Sequence, residues 1–267
     1  MESEPYHSRI GQALVTFAGE DLGYGSQSGR KARLDSVVLP RLTLTLHAGE
    51  RVALLGQSGS GKSTLLVELR ARLAHQAAWC PQHHGLVPAL AVYHNIFMGR
   101  LPEHSMLAGL WNLVRPLARP WREVGELCAL LGLEGLERRP VGQLSGGQRQ
   151  RVAIGRALYQ GRTLFLGDEP VASVDPHQAL RLLALIDERH TTSVVALHQR
   201  ELALTHFDRV WGLRDGRLVI DAPAYELTLA DLDSLYPDAE VPASSPGEEA
   251  PAVMPGPEAL PCSRGRP

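Results

Sequence analysis

The nine residues Gly56-Gln57-Ser58-Gly59-Ser60-Gly61-Lys62-Ser63-Thr64 have the types and spacing to hold a phosphate group. Glycine backbones can turn successive N–H groups toward one point with no side chain in the way, and a helix starting there aims its positive end at the same point. The spacing matches G-x-x-x-x-G-K-[ST], in which Lys62 reaches the β- and γ-phosphates of a nucleotide and the Ser63 hydroxyl ligates Mg²⁺. A glycine- and serine-rich turn that holds a lysine by chance is the competing account. Composition counts against it. Of 27 basic residues only Lys31 and Lys62 are lysine, so a chain that writes arginine almost everywhere keeps a compact ammonium here, where a planar fork would not fit.

Two further stretches carry chemistry. In Leu144-Ser145-Gly146-Gly147-Gln148, Ser145 followed three residues later by Gln148 reads as a capping box opening a helix over Arg149 to Tyr159. A cap has no need of two glycines, and these leave the N–H groups of a helix start bare to a second anion. The other stretch is Leu164-Phe165-Leu166-Gly167-Asp168-Glu169-Pro170, an apolar strand that delivers two carboxylates at its carboxyl end, where open α/β sheets bind ligands. Read alone, it is equally an acidic strand end closed by Pro170.

The elements that must position these residues follow from periodicity. Residues 12–24 begin as a strand and end in a polar turn carrying Tyr24, and residues 25–33 read as an exposed loop. Leu42 to Leu46 alternates with period two, a half-buried strand, and the apolar Val52-Ala53-Leu54-Leu55 is a buried strand running into the phosphate loop. A helix starts near Lys62, and Ala77 to Cys80 is a short strand ending at Pro81-Gln82. Ala91 to Tyr159 is mainly helical; Val124, Leu127, Cys128 and Leu131 share one helix face. Strands follow at Thr163 to Gly167, Thr192 to Leu197, Arg209 to Arg214 and Arg217 to Asp221, the last two joined by the hairpin signal Asp215-Gly216, with a helix from Pro176 to Glu188. Strands alternating with helices predict an α/β fold with a mostly parallel core sheet, antiparallel edge strands and a helical subdomain.

A phosphate loop together with Leu-Ser-Gly-Gly-Gln resembles the P-loop NTPase family of ABC-type ATPases. The resemblance implies ATP and Mg²⁺ as cofactors and assigns roles residue by residue. Asp168 matches the Mg²⁺-organising aspartate and Glu169 the catalytic base that polarises the attacking water. His198, after the strand Val194-Val195-Ala196-Leu197, resembles the histidine that senses the γ-phosphate. Gln82 resembles the glutamine that contacts Mg²⁺ and water and links the nucleotide to a membrane partner. Ser173-Val174-Asp175 resembles the segment that crosses to a partner subunit, with Val where Leu is usual, and Tyr24 the aromatic that stacks on adenine. In this family Ser145, Gly146, Gly147 and Gln148 complete the ATP site of the opposite subunit, so a homodimer makes two whole sites.

The likeness covers about residues 12–225, within an ATP-binding domain expected over 10–237 that carries a helical subdomain at about 89–159. The segments Asp168 to Pro176, Leu197-His198-Gln199, Gly212 to Gly216 and Asn95 to Leu101 are most similar to the ATP-binding subunits of phosphonate importers. That implies ATP hydrolysis energising uptake of a phosphonate or related phosphorus oxyanion, with integral membrane permease subunits as partners and an extracytoplasmic solute-binding protein as an indirect one. Import of another solute and a non-transport ABC ATPase are the other readings. A kinase with a phosphate loop would not need Leu-Ser-Gly-Gly-Gln. One departure stands out: only 17 residues separate Thr64 from Gln82, where the family has a longer segment forming part of an antiparallel subdomain, and this bears on stability.

Composition agrees. With 267 residues and 44% apolar content the chain can bury one substantial core. A formal charge of −2 gives no reason to expect nucleic acid as a partner. Met1-Glu2-Ser3-Glu4-Pro5 lacks the basic start of a signal peptide and no apolar run approaches a membrane span. Three widely spaced cysteines, Cys80, Cys128 and Cys262, suit a reducing compartment, so the expected location is the cytoplasmic face of the inner membrane as a peripheral protein. Residues 238–267 hold seven prolines and few large apolar residues and are expected to be a disordered tail.

Overall fold

The computed structural model describes residues 10–26 and 33–236. Strands β1 (Ala13–Ser26) and β2 (Arg33–His47) pair antiparallel as a separate two-stranded ribbon. Both are longer than periodicity predicted. Tyr24 lies in β1 opposite Ser36, not in a turn, and Gly25, Ser26 and Arg33 belong to the strands, because cross-strand pairing continues through polar residues. The side chain of Tyr24, residues 27–32 and the tail lie outside the described residues.

The remaining strands are β3 (Arg51–Leu55), β4 (Ala77–Cys80), β5 (Leu164–Asp168), β6 (Thr192–Ala196), β7 (Arg209–Arg214) and β8 (Arg217–Pro223). They form one sheet in the order β4-β5-β6-β3-β7-β8, parallel except for the antiparallel edge pair β7-β8. Asp215 and Gly216, with φ of 49° and 71°, join that pair as the two left-handed residues a tight hairpin requires.

Side chains along the central strands alternate between two apolar cores. Val52 and Leu54 of β3 join Phe17, Leu46, Leu66 and Trp211 on one face, whereas Ala53 and Leu55 join Ile96, Ile154 and Val195 on the other. Helix α1 (Lys62–Arg72) and the ribbon cover the first face. The second is covered by α2 (Val92–Phe97), α4 (Ala118–Leu130), α5 (Gly146–Tyr159), α6 (Pro176–Arg189) and α7 (Arg200–His206); α3 (Met106–Val114) lies between α2 and α4 in sequence, and α8 (Leu229–Asp233) follows the sheet. Val124, Leu127, Cys128 and Leu131 are all buried, as their spacing predicts.

The short link between Thr64 and Gln82 is accommodated directly. Helix α1 ends at Arg72 and β4 pairs with β5 only five residues later. Arg72 fastens the helix end to the ribbon: its guanidinium lies 4.2 Å from the Phe17 ring centre and pairs with Glu20 at 2.5 Å and Glu68 at 2.8 Å. The hydrogen bonding and charge of Arg72 hold the Glu20 carboxyl below its usual range. Arg72→Ala should therefore cost about 1–2 kcal/mol, roughly 2–8 °C in Tm for a domain of this size, and a melting curve that overlays wild type would show the fastening to be idle.

Candidate active site

The loop between β3 and α1 is shaped by glycines at positive φ, where a side chain is strained. Gly56, at φ 146°, would place a Cβ 2.3 Å from the Leu213 carbonyl oxygen, and Gly61, at φ 106°, would place one 2.7 Å from Leu39 Cδ2. Gly61 is also the capping residue of α1 and offers no side-chain acceptor to the helix's first turn, an arrangement that suits an anion. The Ser60 hydroxyl is buried without a hydrogen-bond partner at the same place. Lys62, only 6% exposed, donates to the Gly56 carbonyl at 2.7 Å and the Gln57 carbonyl at 2.9 Å. Two of its three protons are thereby used to fix the ammonium, and one remains for a phosphate oxygen. Burial lowers its pKa, opposed by the carboxylates of Glu169 and Asp168.

Those carboxylates stand at the end of the central strand β5. Asp168 is buried, with the Ser63 hydroxyl against its carboxylate and Oδ1 without a hydrogen-bond partner. Burial raises its pKa, and the Ser63 hydrogen bond and the charges of Lys62 and His198 work the other way. Glu169 has a left-handed backbone, φ 54°, uncommon for a residue with a side chain. Its Oε1 meets His198 Nε2 at 2.6 Å, and its Oε2 lies 3.4 Å from the donating Gln82 Nε2. Gln82 follows β4 by two residues and His198 follows β6 by two, so parallel pairing of β4, β5 and β6 is what brings the three side chains together. All of them, with the phosphate loop after β3, lie at the carboxyl edge of the sheet.

The oxygen donors around Lys62 suit a small hard cation. Ser63 Oγ, the orphaned Asp168 Oδ1 and Gln82 Oε1, the amide oxygen left free by the contact to Glu169, are the kind of ligands Mg²⁺ takes alongside substrate phosphates. Among the described residues no cluster of three or more His, Cys, Asp or Glu side chains is placed to hold a metal ion.

Ser145 to Gln148 stand at the start of α5. The capping box is formed: Ser145 Oγ accepts from Gln148 N at 3.2 Å, and Gln148 Oε1 accepts from Ser145 N at 3.0 Å. The helix begins at Gly146, three residues before the predicted Arg149, because the box supports a first turn made of glycines. Ser145 and Gly146 are exposed, and a Cβ on Gly146 would meet nothing within 4 Å. Gly147 packs on the segment 173–175, where a Cβ would come 3.1 Å from the Ser173 carbonyl oxygen. Asp175 caps α6, accepting from Gln178 N at 2.9 Å, while Ser173 is exposed.

Three contacts escaped motif reading. Tyr236 Oη accepts from Gly56 N at 3.3 Å, closing the phosphate loop from the far end of the described chain. Arg156 of α5 donates to the carbonyls of His84 and Gly85, holding the loop that follows Gln82. Gln150 of α5 reaches the backbone of Glu169. It was visible as a polar residue on an apolar stripe, with Ala153, Ile154, Ala157 and Leu158 at i+3, i+4, i+7 and i+8.

Comparison with known proteins agrees with this geometry. The family model described as ABC transporter matches residues 39–77 and 68–172. The phosphonates import ATP-binding protein of Pseudomonas putida is 38% identical over 249 residues, covering 82% of this chain and 90% of its own. The phosphite import ATP-binding protein of Stutzerimonas stutzeri is 37% identical over 234 residues, covering 76% and 84%. Among solved structures, a nucleotide-free ATP-binding cassette superposes with TM-score 0.64 at 20% identity, covering 89% of this chain and 100% of its own. A dimeric cassette bound to ADP and Pi superposes with TM-score 0.61 at 24% identity, covering 78% and 98%. The sequence motifs, the strand order and these relatives agree, and the chain belongs to the ABC transporter family of ATP-binding proteins.

Proposed function

We propose that this chain is the ATP-hydrolysing subunit of an importer for a phosphonate or a related phosphorus oxyanion such as phosphite. The observation that carries the ATPase reading is the meeting of Lys62, Asp168, Glu169, Gln82 and His198 at one sheet edge beside an open helix start. The names of relatives at 37–38% identity carry the solute class. The fold unit is residues 10–237, with residues 89–159 as its helical subdomain.

Backbone N–H groups of the phosphate loop that are not bonded within the protein, together with the Lys62 ammonium, bind the β- and γ-phosphates. Ser63, Asp168 and Gln82 would hold Mg²⁺, which would neutralise charge on the phosphate oxygens. Glu169 is the base: its carboxylate, fixed on one side by His198 and on the other by Gln82, orients the attacking water and takes its proton. His198 presents its ring beside the γ-phosphate. Ser145 to Gln148 of a second copy close the site, and the segment at Ser173 and Asp175 lies at that contact.

A membrane permease is the proposed partner, and α3 supports it. This helix leaves Met106, Leu107, Leu110, Trp111 and Val114 exposed, beside an apolar cavity of about 430 Å³ lined by Phe97, Leu101 and Leu113. An apolar patch of this kind marks a contact surface. No helix among the described residues is long and apolar enough to cross a membrane itself. The test is reconstitution with its permease in vesicles. ATPase activity should rise with a phosphonate or phosphite and its binding protein; stimulation by an unrelated solute alone would overturn the assignment of the solute class.

A further inference from the structure

Gln150 is 1% exposed in the middle of α5, and both ends of its amide are engaged across the chain. Its Nε2 donates to the Glu169 carbonyl at 2.8 Å, and its Oε1 accepts from Ser173 N at 2.8 Å. Glu169 is the residue held in a left-handed backbone at φ 54°, and its own N–H donates to the Ala196 carbonyl at 3.2 Å. Such a conformation persists only where surrounding bonds over-determine it. Three bonds hold the two peptide units that flank Glu169 Cα: its N–H donates to β6, and its carbonyl accepts from Gln150 and, at the longer distance of 3.3 Å, from Ala172 N. Helix α5 also holds the other partner of the base: Arg156 grips the carbonyls of His84 and Gly85, just beyond Gln82, whose amide faces Glu169 Oε2.

We infer that Gln150 is a positioning residue for ATP hydrolysis, which sets the direction of the Glu169 carboxylate by tying the Glu169 carbonyl and the Ser173 amide to the helix that carries Ser145 to Gln148. Its side chain is buried and bonds to backbone groups of Glu169 and Ser173, so it acts through the base. The reason it matters is geometric: turning a peptide unit by a few tens of degrees moves the carboxylate beyond it by an ångström or more, and a general base misplaced by 1 Å loses about a hundredfold in rate. The inference rests on the proposed role of Glu169 as base.

The experiment compares full-length wild type with Gln150→Met, Gln150→Glu and Glu169→Gln, measuring kcat, KM and ATP affinity. Methionine keeps the volume and loses both bonds, so kcat should fall about tenfold or more while ATP affinity stays within about twofold. Glutamate keeps an acceptor for Ser173 N but, ionised, sets a charge against the Glu169 carbonyl; protonated, it can donate again. The kcat of Gln150→Glu relative to wild type at the same pH should therefore climb about threefold or more as pH falls from about 8.5 to 6, since burial raises a carboxyl pKa. A side chain that only supports the fold would lower the melting temperature without producing this pH-dependent ratio. Wild-type kcat in Gln150→Met, or a flat ratio for Gln150→Glu, overturns the inference, and if the methionine variant does not fold the pH ratio decides alone. Loss of activity in Glu169→Gln beside fully active Gln150 variants would sink this inference and leave the functional reading standing. A fully active Glu169→Gln would sink both.

Discussion

Glu169→Gln protein binds ATP with wild-type affinity and hydrolyses it about a hundred- to ten-thousandfold more slowly, the range a positioned general base supplies. The amide keeps the size of the carboxylate and its one oxygen can still accept from His198 Nε2, at the loss of the weaker 3.4 Å bond from Gln82 Nε2. It cannot take a proton from water. Because the phosphate loop is untouched, ATP still draws two copies together, and the variant should elute as a dimer with ATP and as a monomer without it. Lys62→Ala is the contrasting control. It removes the buried ammonium fixed by the Gly56 and Gln57 carbonyls, so nucleotide affinity itself should drop. Wild-type turnover in Glu169→Gln would show that another group is the base, and unchanged ATP binding by Lys62→Ala would count against the phosphate loop.

The second large effect is a rescue by mixing. Ser145→Arg and Gly147→Asp should each block hydrolysis, but both also disturb the fold locally: the first removes a capping box, and the second pushes a Cβ toward the Ser173 carbonyl. Gly146→Asp is cleaner. Its Cβ enters open space, and a carboxylate in the first turn favours the helix while repelling the γ-phosphate of an incoming nucleotide. Hydrolysis by Gly146→Asp alone should fall by about a hundredfold, the scale of losing one transition-state anion site, with ATP binding to the monomer intact. Lys62→Ala alone should be equally inactive. In a mixed dimer one site carries both lesions and the other carries neither, because each whole site takes its loop from one chain and its signature from the other. Random pairing of equal amounts makes roughly half the dimers mixed, so activity should return to about a quarter of wild type. A titration of one inactive protein into the other measures this directly. No recovery at any ratio, or wild-type turnover by Gly146→Asp alone, would reduce Ser145 to Gln148 to a helix cap and remove the basis for the two-site dimer.

What the amino-acid sequence determined by itself is what depends on near neighbours along the chain. The phosphate loop, the Ser145 and Gln148 capping box, the Asp215-Gly216 hairpin and the two-sided burial of β3 follow from the conformational range of glycine, the reach of a capping side chain and the period of a strand. The tertiary structure decided what depends on separations that no local rule spans. Ribbon pairing carried β1 and β2 well past their apolar cores and placed Tyr24 in a strand. Strand order, β4-β5-β6-β3-β7-β8, set Gln82 beside Glu169 across 87 residues and His198 beside it across 29. Motif resemblance had named these residues without fixing their distances. It had not named Gln150, 19 residues from Glu169 and 23 from Ser173, or Tyr236, 180 residues from Gly56. Such bonds are invisible in the sequence because a buried amide or phenol can satisfy any donor or acceptor the fold brings to it, and only the packed chain settles which.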